Sequence, residues 1–324
     1  MKKILNLILG ILISCAMLYL VFRRIDFTEF VNHVMSAKLG YLLLNLFLGT
    51  MLLVLRSYRW KIMLKEYKGF ELQNFFKSTV MGLFFNTVLP FRVGDIFQGY
   101  ILAKKTLLPK SLTMSTVLLE RFIDLFPPIL FLIIGSFFVV LPKQISLRIS
   151  VLVLVGLVLA FVLVLKYKNF LLSRLIFYSE KVSILKKIVG VLEKFFSAIE
   201  NISSISVLYK IILLTFLLWS GYSIGMVLIC YSLNIDLPSV WAGFLIQAIT
   251  ALSVVIPSSP GYVGSWEFMG SLSLIIFKID KTKAASFAVV SHFIGMLPII
   301  SLGLFFLLQE TSLLKSFKKD YDKT

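Results

Sequence analysis

The segment NTVLPFRVGD, residues 86–95, interrupts an apolar stretch with a proline, an arginine, a glycine and an aspartate. A second segment, PSSPGYVGSWE at residues 257–267, does the same later in the chain, and both contain Pro-x-x-Val-Gly. Because a bilayer interior offers no water to an interrupted backbone, such breaks persist only inside protein or beside an aqueous cavity. Breaks at corresponding places in two halves predict an internal repeat and indicate a transport site between the halves.

The composition is that of a membrane protein. Of 324 residues, 59% are hydrophobic and 15% are charged, with a mean hydropathy of +0.95. Recurring apolar runs predict an all-α polytopic membrane protein with about 7–8 transmembrane helices plus two broken or re-entrant helix pairs. The net charge of +17 comes from basic residues at the ends of apolar segments. Positive-inside topology and anionic lipid headgroups explain this charge better than a nucleic-acid partner does.

The charge pattern divides the chain into three parts. Residues 1–165 form a first transmembrane half, with its break at 86–95. Residues 166–210 form a basic amphipathic helix that we expect to lie on the cytoplasmic side as a linker. Residues 211–324 form the second half, with its break at 257–267. Lysines at both ends of the chain predict that both termini are cytoplasmic and that the protein is a multi-pass protein of the cell membrane. Whether the broken segments cross the bilayer or re-enter is left open.

Charged residues inside apolar sequence are the first candidates for a site. Arg56 and Arg59 lie on one face of a predicted helix, either as an interfacial anchor or as a clamp for a lipid phosphate. Glu120, Arg121 and Asp124 are costly at membrane depth unless they pair or meet water. They either form a salt bridge at the end of a span or share a polar pocket with the first break.

The breaks themselves are the second set of candidates. Interrupted helices expose backbone N–H groups, and these groups favour an anion together with the helix dipole. The expected structural breaks are Pro90, Gly94, Pro257, Pro260, Gly261 and Gly264. The expected headgroup ligands around them are Asn86, Arg92, Asp95, Ser258, Ser259 and Glu267. An arginine there is suited to hold a phosphate bidentately.

Signals for catalysis are weak. The sequence has no nucleotide-binding glycine-rich loop, no aspartate-rich metal motif and no His/Cys cluster with metal-ligand spacing, so we expect no cofactor and no metal. Glu120 with Asp124, or Asp95 with Glu267, could serve as acid and base in a transferase, but the spacing does not require it. We therefore do not expect an enzyme.

Four motifs carry a resemblance to a known family: LRSYRW at 55–60, residues 86–95 followed by QGY, VLLERFID at 117–124, and residues 257–267. In this order and spacing they resemble the transmembrane region of lysylphosphatidylglycerol synthases, often described as flippase-like. The family typically has an arginine where this chain has Gln98. The resemblance implies the membrane part of proteins that expose aminoacylated phosphatidylglycerol, or of polyprenyl-phosphate glycan pathways. It places aminoacyl transfer in a separate cytosolic domain, which we expect this chain to lack.

Three functions remain open from the sequence. The first is a flippase for an anionic or aminoacylated phospholipid or a polyprenyl-phosphate-linked lipid. The second is a membrane-embedded glycosyl or aminoacyl transferase component, of the kind a phosphatidylglycerol lysyltransferase would use. The third is a non-catalytic partner that docks a lipid-modifying enzyme through its basic surface.

Overall fold

A computed structural model describes residues 2–65, 67, 69–138, 204–256 and 259–310, with parts of 152–199. Throughout these residues the chain is helical and contains no strand, which confirms the all-α prediction. Several predicted features lie outside the described residues, namely Pro257, Ser258, the C-terminal lysines and most of the amphipathic linker.

The helices, numbered in chain order, are α1 (Lys2–Phe22), α2 (Phe27–Met35), α3 (Leu39–Met63), α4 (Leu72–Val88), α5 (Val93–Thr106), α6 (Lys110–Ile123), α7 (Phe126–Phe138), α8 (Lys168–Ser179), α9 (Ile205–Ser232), α10 (Trp241–Ala251), α11 (Ser265–Ile275) and α12 (Lys281–Gln309). Short 3₁₀ turns lie at Pro90–Arg92, Leu252–Val255 and Pro260–Tyr262. Side chains of Asp26, Ser204 and Asp280 accept hydrogen bonds from the first turns of α2, α9 and α12, and so define where those helices begin.

Three described helices, α3, α9 and α12, are long and apolar enough to cross a membrane. A fourth span results if residues 8–22 and 27–35, which are bent by 91° at their junction, count as one. The expected 7–8 spans are therefore not confirmed. One reason is that the apolar segments around both breaks fold into helices of 11 to 17 residues, too short to cross alone. Another is that the apolar sequence at 139–151 and much of 152–165 lies outside the described residues.

The first break is the tip of a tight helical hairpin, hairpin 1, made of α4 and α5. Gly82 on α4 faces Gln98 on α5, and Gly94 faces the backbone of Gly82 and Asn86. The later residue of α4, Asn86, meets the earlier residue of α5, Gly94, whereas Gly82 meets Gln98, so the two helices run antiparallel. A side chain at Gly94 would place its Cβ 2.5 Å from the amide nitrogen of Asn86, so glycine is required for this approach.

The second break is the tip of hairpin 2, made of α10 and α11. Phe277, just beyond the end of α11, packs against the buried cluster of Ala242 and Leu245 near the start of α10. This contact returns the chain to the level at which the hairpin began. Both breaks are thus reversals of direction within the protein.

The two tips share one backbone conformation at their common Pro-x-x-Val-Gly segment. In hairpin 1, Phe91 and Arg92 have φ values of 64° and 55°. In hairpin 2, the matching Gly261 and Tyr262 have φ values of 70° and 60°. Three of these four residues are not glycine, and left-handed conformations are costly for such residues. The same costly turn at the same place in both motifs indicates a common structural role.

Helix α12 is the axis along which the hairpins are placed, and hairpin 1 approaches it from its C-terminal end. The rings of Phe76, near the start of α4, and Phe306 lie 6.0 Å apart. Further along α4, Phe84 packs against Gly303. Hairpin 1 therefore has its base near the end of α12 and its tip towards the middle.

Hairpin 2 approaches α12 from the opposite end. Gly270 packs against Ala288, and closer to the tip Glu267 bonds to His292. Gly261 in this tip also lies against the backbone of Thr87, at the end of α4. With 29 residues, α12 is about 43 Å long. The two tips therefore meet near its midpoint.

Helices α3 and α9 form an antiparallel pair beside the hairpins. The Asn45 amide donates to the carbonyl oxygen of Gly225 at 2.6 Å. At the end of the pair, the amide nitrogen of Lys38 donates to the carbonyl oxygen of Ser232 at 2.8 Å. Helix α3 precedes hairpin 1 and α9 precedes hairpin 2, so each helix–hairpin unit runs opposite to the other.

Replacement of Gly94 by alanine should destabilise hairpin 1, because the nearest atoms are backbone and cannot move aside as a flexible side chain would. We expect Gly94→Ala to lower the free energy of unfolding by about 1–3 kcal/mol, measured as a lower thermal midpoint in detergent. Gly295→Ala is the matched control, since a Cβ there meets no atom within 4 Å. Equal midpoints for the two variants would contradict the close approach of α4 and α5.

Candidate functional site

The guanidinium of Arg59 on α3 is fully buried, with a side chain that is 0% exposed. It donates to both oxygens of Asp124, at 2.7 and 3.2 Å, and to Glu120 at 3.1 Å. It also donates to the hydroxyl of Thr215 on α9 at 2.9 Å. A buried charge is tolerated only with such partners. Arg59 therefore joins α3, α6 and α9 through one side chain.

Asp124 collects donors because α6 ends there. It is the C-cap residue of α6, and its carboxylate also accepts from Arg56 at 3.3 Å and from the indole of Trp219 at 3.2 Å. Arg56 also interacts electrostatically with Tyr222 on α9. The break between α6 and α7 thus places one carboxylate against both arginines of α3.

Gln98 on α5 extends this network towards the tip of hairpin 1. Its side-chain amide donates to Glu120 Oε2 at 3.1 Å, and its carbonyl oxygen accepts from Arg121 at 3.1 Å. A neutral side chain with one donor group and one acceptor can link a carboxylate to a guanidinium without adding charge. Gln98 is itself fully buried, so it fixes the relative positions of α5 and α6.

At the tip, Asp95 is the meeting point of three side chains. Arg121 lies 3.0 Å from Asp95 Oδ1, and the Asn86 amide donates to the same oxygen at 2.9 Å. The Nε of Arg92 lies 3.6 Å from Oδ2, a longer contact. The network therefore runs from the buried end of α3 to the place where the two tips meet.

We call these charged residues the arginine–carboxylate cluster: Arg56, Arg59, Arg92, Arg121, Asp95, Glu120 and Asp124. Four arginines against three carboxylates leave one positive charge in excess. The excess lies at the tip, because the Arg92 side chain is 42% exposed whereas that of Arg121 is 19% exposed. Buried atoms without a hydrogen-bond partner among the described residues include Asn86 Oδ1 and the Nε atoms of Arg56, Arg59 and Arg121. The cluster is thus suited to hold an anion at Arg92.

A second polar site lies in the tip of hairpin 2. Glu267 Oε1 is 2.6 Å from His292 Nδ1, and Glu267 Oε2 accepts from the amide of Gly264 at 2.6 Å. His292 Nε2 lies 2.9 Å from the carbonyl oxygen of Gly261. Trp266 stacks on the imidazole, with ring centroids 5.2 Å apart. These contacts fasten the tip to α12.

Of the residues expected to bind a headgroup, the structure brings one set together and separates the others. The set in the network is Arg56, Arg59, Asn86, Arg92, Asp95, Glu120, Arg121 and Asp124. Glu267 instead bonds to His292, and the Ser259 hydroxyl donates to the carbonyl oxygen of Val263. Ser258 lies outside the described residues. Among the described side chains there is no group of three or more His, Cys, Asp or Glu that could hold a metal.

Sequence reasoning missed several members of these sites. Gln98, Thr215 and Trp219 are neutral, so a search for intramembrane charges does not find them. Trp60, next to Arg59, is also neutral; its side chain is fully buried and its indole donates to Thr116 at 2.9 Å.

Removal of the two arginines at opposite ends of the network should have different consequences. We expect Arg59→Ala to lower the free energy of unfolding by about 3–5 kcal/mol, because it removes the cation from buried Glu120 and leaves Asp124 only its longer contact with Arg56. We expect Arg92→Ala to cost less than about 1 kcal/mol, because its contact is long and partly exposed. Thermal midpoints of the two purified variants in detergent test this contrast, and a larger loss for Arg92→Ala would contradict it.

Comparisons with known proteins fit this picture. A curated relative, UPF0104 membrane protein MJ1078 of Methanocaldococcus jannaschii, is 27% identical over 243 residues, which cover 74% of this chain and 99% of that protein. A second protein of that organism, UPF0104 membrane protein MJ1595, is 30% identical over 118 residues, or 35% of each chain. No solved structure matches. The model of the family described as "Lysylphosphatidylglycerol synthase TM region" matches residues 7–303, so this chain belongs to that family of membrane proteins.

Proposed function

We propose that this protein is a lipid translocase that moves a lipid with an anionic or aminoacylated headgroup, or a polyprenyl-phosphate-linked lipid, between the two leaflets. The observation that carries the proposal is the position of Arg92. It holds the excess positive charge of the cluster on an exposed side chain, at the point where two helical hairpins meet. A guanidinium at such a place binds phosphate bidentately.

The backbone around Arg92 adds to this preference for anions. Helix α5 begins at Val93, directly after the left-handed residues of the tip, so its first N–H groups and its dipole face the meeting point. Asp95 in the first turn of α5 is held by Arg121 and Asn86 through Oδ1, and its contact with Arg92 through Oδ2 is long at 3.6 Å, so it neutralises Arg92 only in part. A phosphate at this point would complete the charge balance of the cluster.

The carboxylates of the cluster extend the range of headgroups. An aminoacylated phospholipid carries ammonium groups as well as a phosphate. Asp95, with a side chain that is 20% exposed, lies beside Arg92 and can accept from such a group. Exposure of this acid and this base side by side is what recognition of a zwitterionic or cationic headgroup requires.

The basic end of the fold supports an orientation. Lys77 and Lys105 at the base of hairpin 1 pair with Glu310 at the end of α12, and α3 ends with Lys61 and Lys65. By the positive-inside rule this end is cytoplasmic, as are both termini. Hairpin 1 then enters from the cytoplasm and hairpin 2 from the outside. Two re-entrant hairpins of opposite orientation, each preceded by a spanning helix, form an inverted-topology repeat with its binding site at the midplane.

The function is tested with purified protein in liposomes that contain one fluorescent lipid. This lipid is phosphatidylglycerol, lysyl-phosphatidylglycerol or polyprenyl phosphate, or phosphatidylcholine as the reference lipid without net charge. We expect the protein to move at least one of the three test lipids from the inner leaflet to the outer leaflet faster than phosphatidylcholine. The measurement is the rate at which a membrane-impermeant quencher gains access to the inner-leaflet pool. Arg92→Gln should slow this movement by about tenfold or more, because one charge-assisted hydrogen bond to phosphate is worth about 1.5–3 kcal/mol.

Arg24→Gln is the matched control for charge, since Arg24 is exposed and lies after α1, outside the cluster. It should move lipid at the rate of the unmodified protein. Equal rates for the Arg92→Gln protein, the control and the unmodified protein would exclude Arg92 as the headgroup ligand. Rates equal to protein-free liposomes for every lipid would exclude the translocase.

The orientation is tested separately with cysteines at two exposed lysines, Lys65 after α3 and Lys281 at the base of hairpin 2. In intact cells, a membrane-impermeant maleimide should label Lys281→Cys and leave Lys65→Cys unlabelled until the membrane is permeabilised. Labelling of both positions from one side would contradict the inverted arrangement of the hairpins.

A further inference from the structure

The contacts of His292 require more protons than a neutral histidine and a carboxylate carry together. Nδ1 faces a carboxylate oxygen of Glu267 at 2.6 Å, and Nε2 faces the carbonyl oxygen of Gly261 at 2.9 Å. A carbonyl oxygen only accepts, so Nε2 must carry a hydrogen. The 2.6 Å contact needs a second hydrogen between Nδ1 and the carboxylate. A neutral imidazole beside an ionised carboxylate has one hydrogen for two such contacts.

Two arrangements supply the second hydrogen, an imidazolium beside a carboxylate or a neutral imidazole beside a carboxylic acid. Both carry the same two protons and the same net charge of zero. That neutrality suits a pair in which both side chains are buried. We propose that Glu267 and His292 form a proton-binding site that holds hairpin 2 closed against α12, and that loss of the proton releases its tip.

The release follows from which contact the remaining proton keeps. After deprotonation, the hydrogen goes to Nδ1, where it bonds to a charged carboxylate, the stronger acceptor. Nε2 then presents a lone pair to the Gly261 oxygen, and that contact becomes repulsive. Gly261 is the residue of the tip that also lies against Thr87 of hairpin 1. A single proton therefore decides whether the second tip stays bound to α12 and to the first tip.

The side chains that other elements place around the tip of hairpin 2 show why the Glu267–His292 pair is the group that carries the proton there. Helix α1 contributes Ser14, whose hydroxyl accepts from the amide of Ser259, and α12 contributes Ser291, which accepts from Trp266. Neither side chain titrates. The charged groups that face the tip come from hairpin 1, where Arg92 and Asp95 interact electrostatically with Tyr262. The closed tip thus also holds Tyr262 beside the proposed headgroup site.

That this release serves lipid movement rests on the proposed function, whereas the proton site itself does not. Its test therefore measures distance rather than transport. Spin labels are attached to cysteines at Val263, exposed in the tip, and at Leu308, exposed near the end of α12, in the full chain with Cys15→Ser and Cys230→Ala. Pulsed electron paramagnetic resonance then gives the distance distribution at about pH 5 and about pH 8, on either side of the usual titration range of histidine.

We expect one narrow distance at the lower pH and a second, shifted population at the higher pH. Glu267→Gln supplies the decisive variant, because a glutamine amide can donate to Nδ1 and accept from the amide of Gly264. It imitates the protonated pair and should keep the single narrow distance at both pH values. His292→Ala, which removes the hold on Gly261, should show the shifted population at both.

A second label pair, on exposed Leu43 of α3 and on Leu308, controls for general effects of pH and should not change. An unchanged Val263–Leu308 distance in the otherwise unmodified chain would overturn the proposal, as would a Glu267→Gln protein that still responds to pH. If the distances respond as expected but no lipid moves in liposomes, the proton site stands and the translocase fails. Lipid movement that is equal in all these variants, with unchanged distances, would leave the translocase and remove the proton site.

Discussion

The constraint on which the structure depends is that a guanidinium buried among apolar helices must find carboxylates within the protein. Arg59 has no exposed surface and binds Glu120 and Asp124, and its third partner is Thr215. Because these residues lie on α6 and α9, the position of α3 is fixed relative to two helices that are distant in sequence. Gln98 extends this network to hairpin 1, because its side-chain amide donates to Glu120. What reads in the sequence as a set of misplaced charges is the means by which the first half of the protein is assembled.

The pairing of the carboxylates also explains why the excess positive charge of the cluster lies at the tip of hairpin 1. Each carboxylate of the cluster already accepts from at least two donors, and the fourth arginine, Arg92, has only the longer 3.6 Å contact with Asp95. Arg92 itself has the left-handed conformation, between the 3₁₀ turn at Pro90–Arg92 and the start of α5. This conformation carries its side chain out of the packed interior. The buried arginines of the network thus hold helices together, and in the proposed function the exposed Arg92 is the one that meets a ligand.

The sequence predicts the helical class and the two breaks and names all seven charged residues of the cluster as candidates, because prolines, glycines and charges inside apolar sequence have few physical explanations. It does not predict that both breaks are hairpins. A helix of 17 mixed apolar and polar residues such as α4 is consistent with a short span or with a reversal, and only the close approach of Gly82 and Gly94 to the opposite helix distinguishes them. The sequence also grouped Glu267 with the expected headgroup ligands, because it could not show that His292, 25 residues later on α12, faces Glu267. Neutral residues such as Gln98 carry no sequence signal for a charge network.

The two tips have one backbone conformation and different chemistry, and this difference argues for a division of labour between the halves. At the third position of Pro-x-x-Val-Gly, hairpin 1 has Arg92 and hairpin 2 has Tyr262. One residue beyond the motif, Asp95 belongs to a network with excess positive charge, while the matching position in hairpin 2 is Ser265 and the acid lies at Glu267, paired with a histidine. A repeat that served packing alone would have no reason to keep a costly left-handed turn in both copies and to change its charged side chains. We propose that the first tip meets an anion and that the second is held by a proton, and because the tips touch, a change at one alters the surroundings of the other.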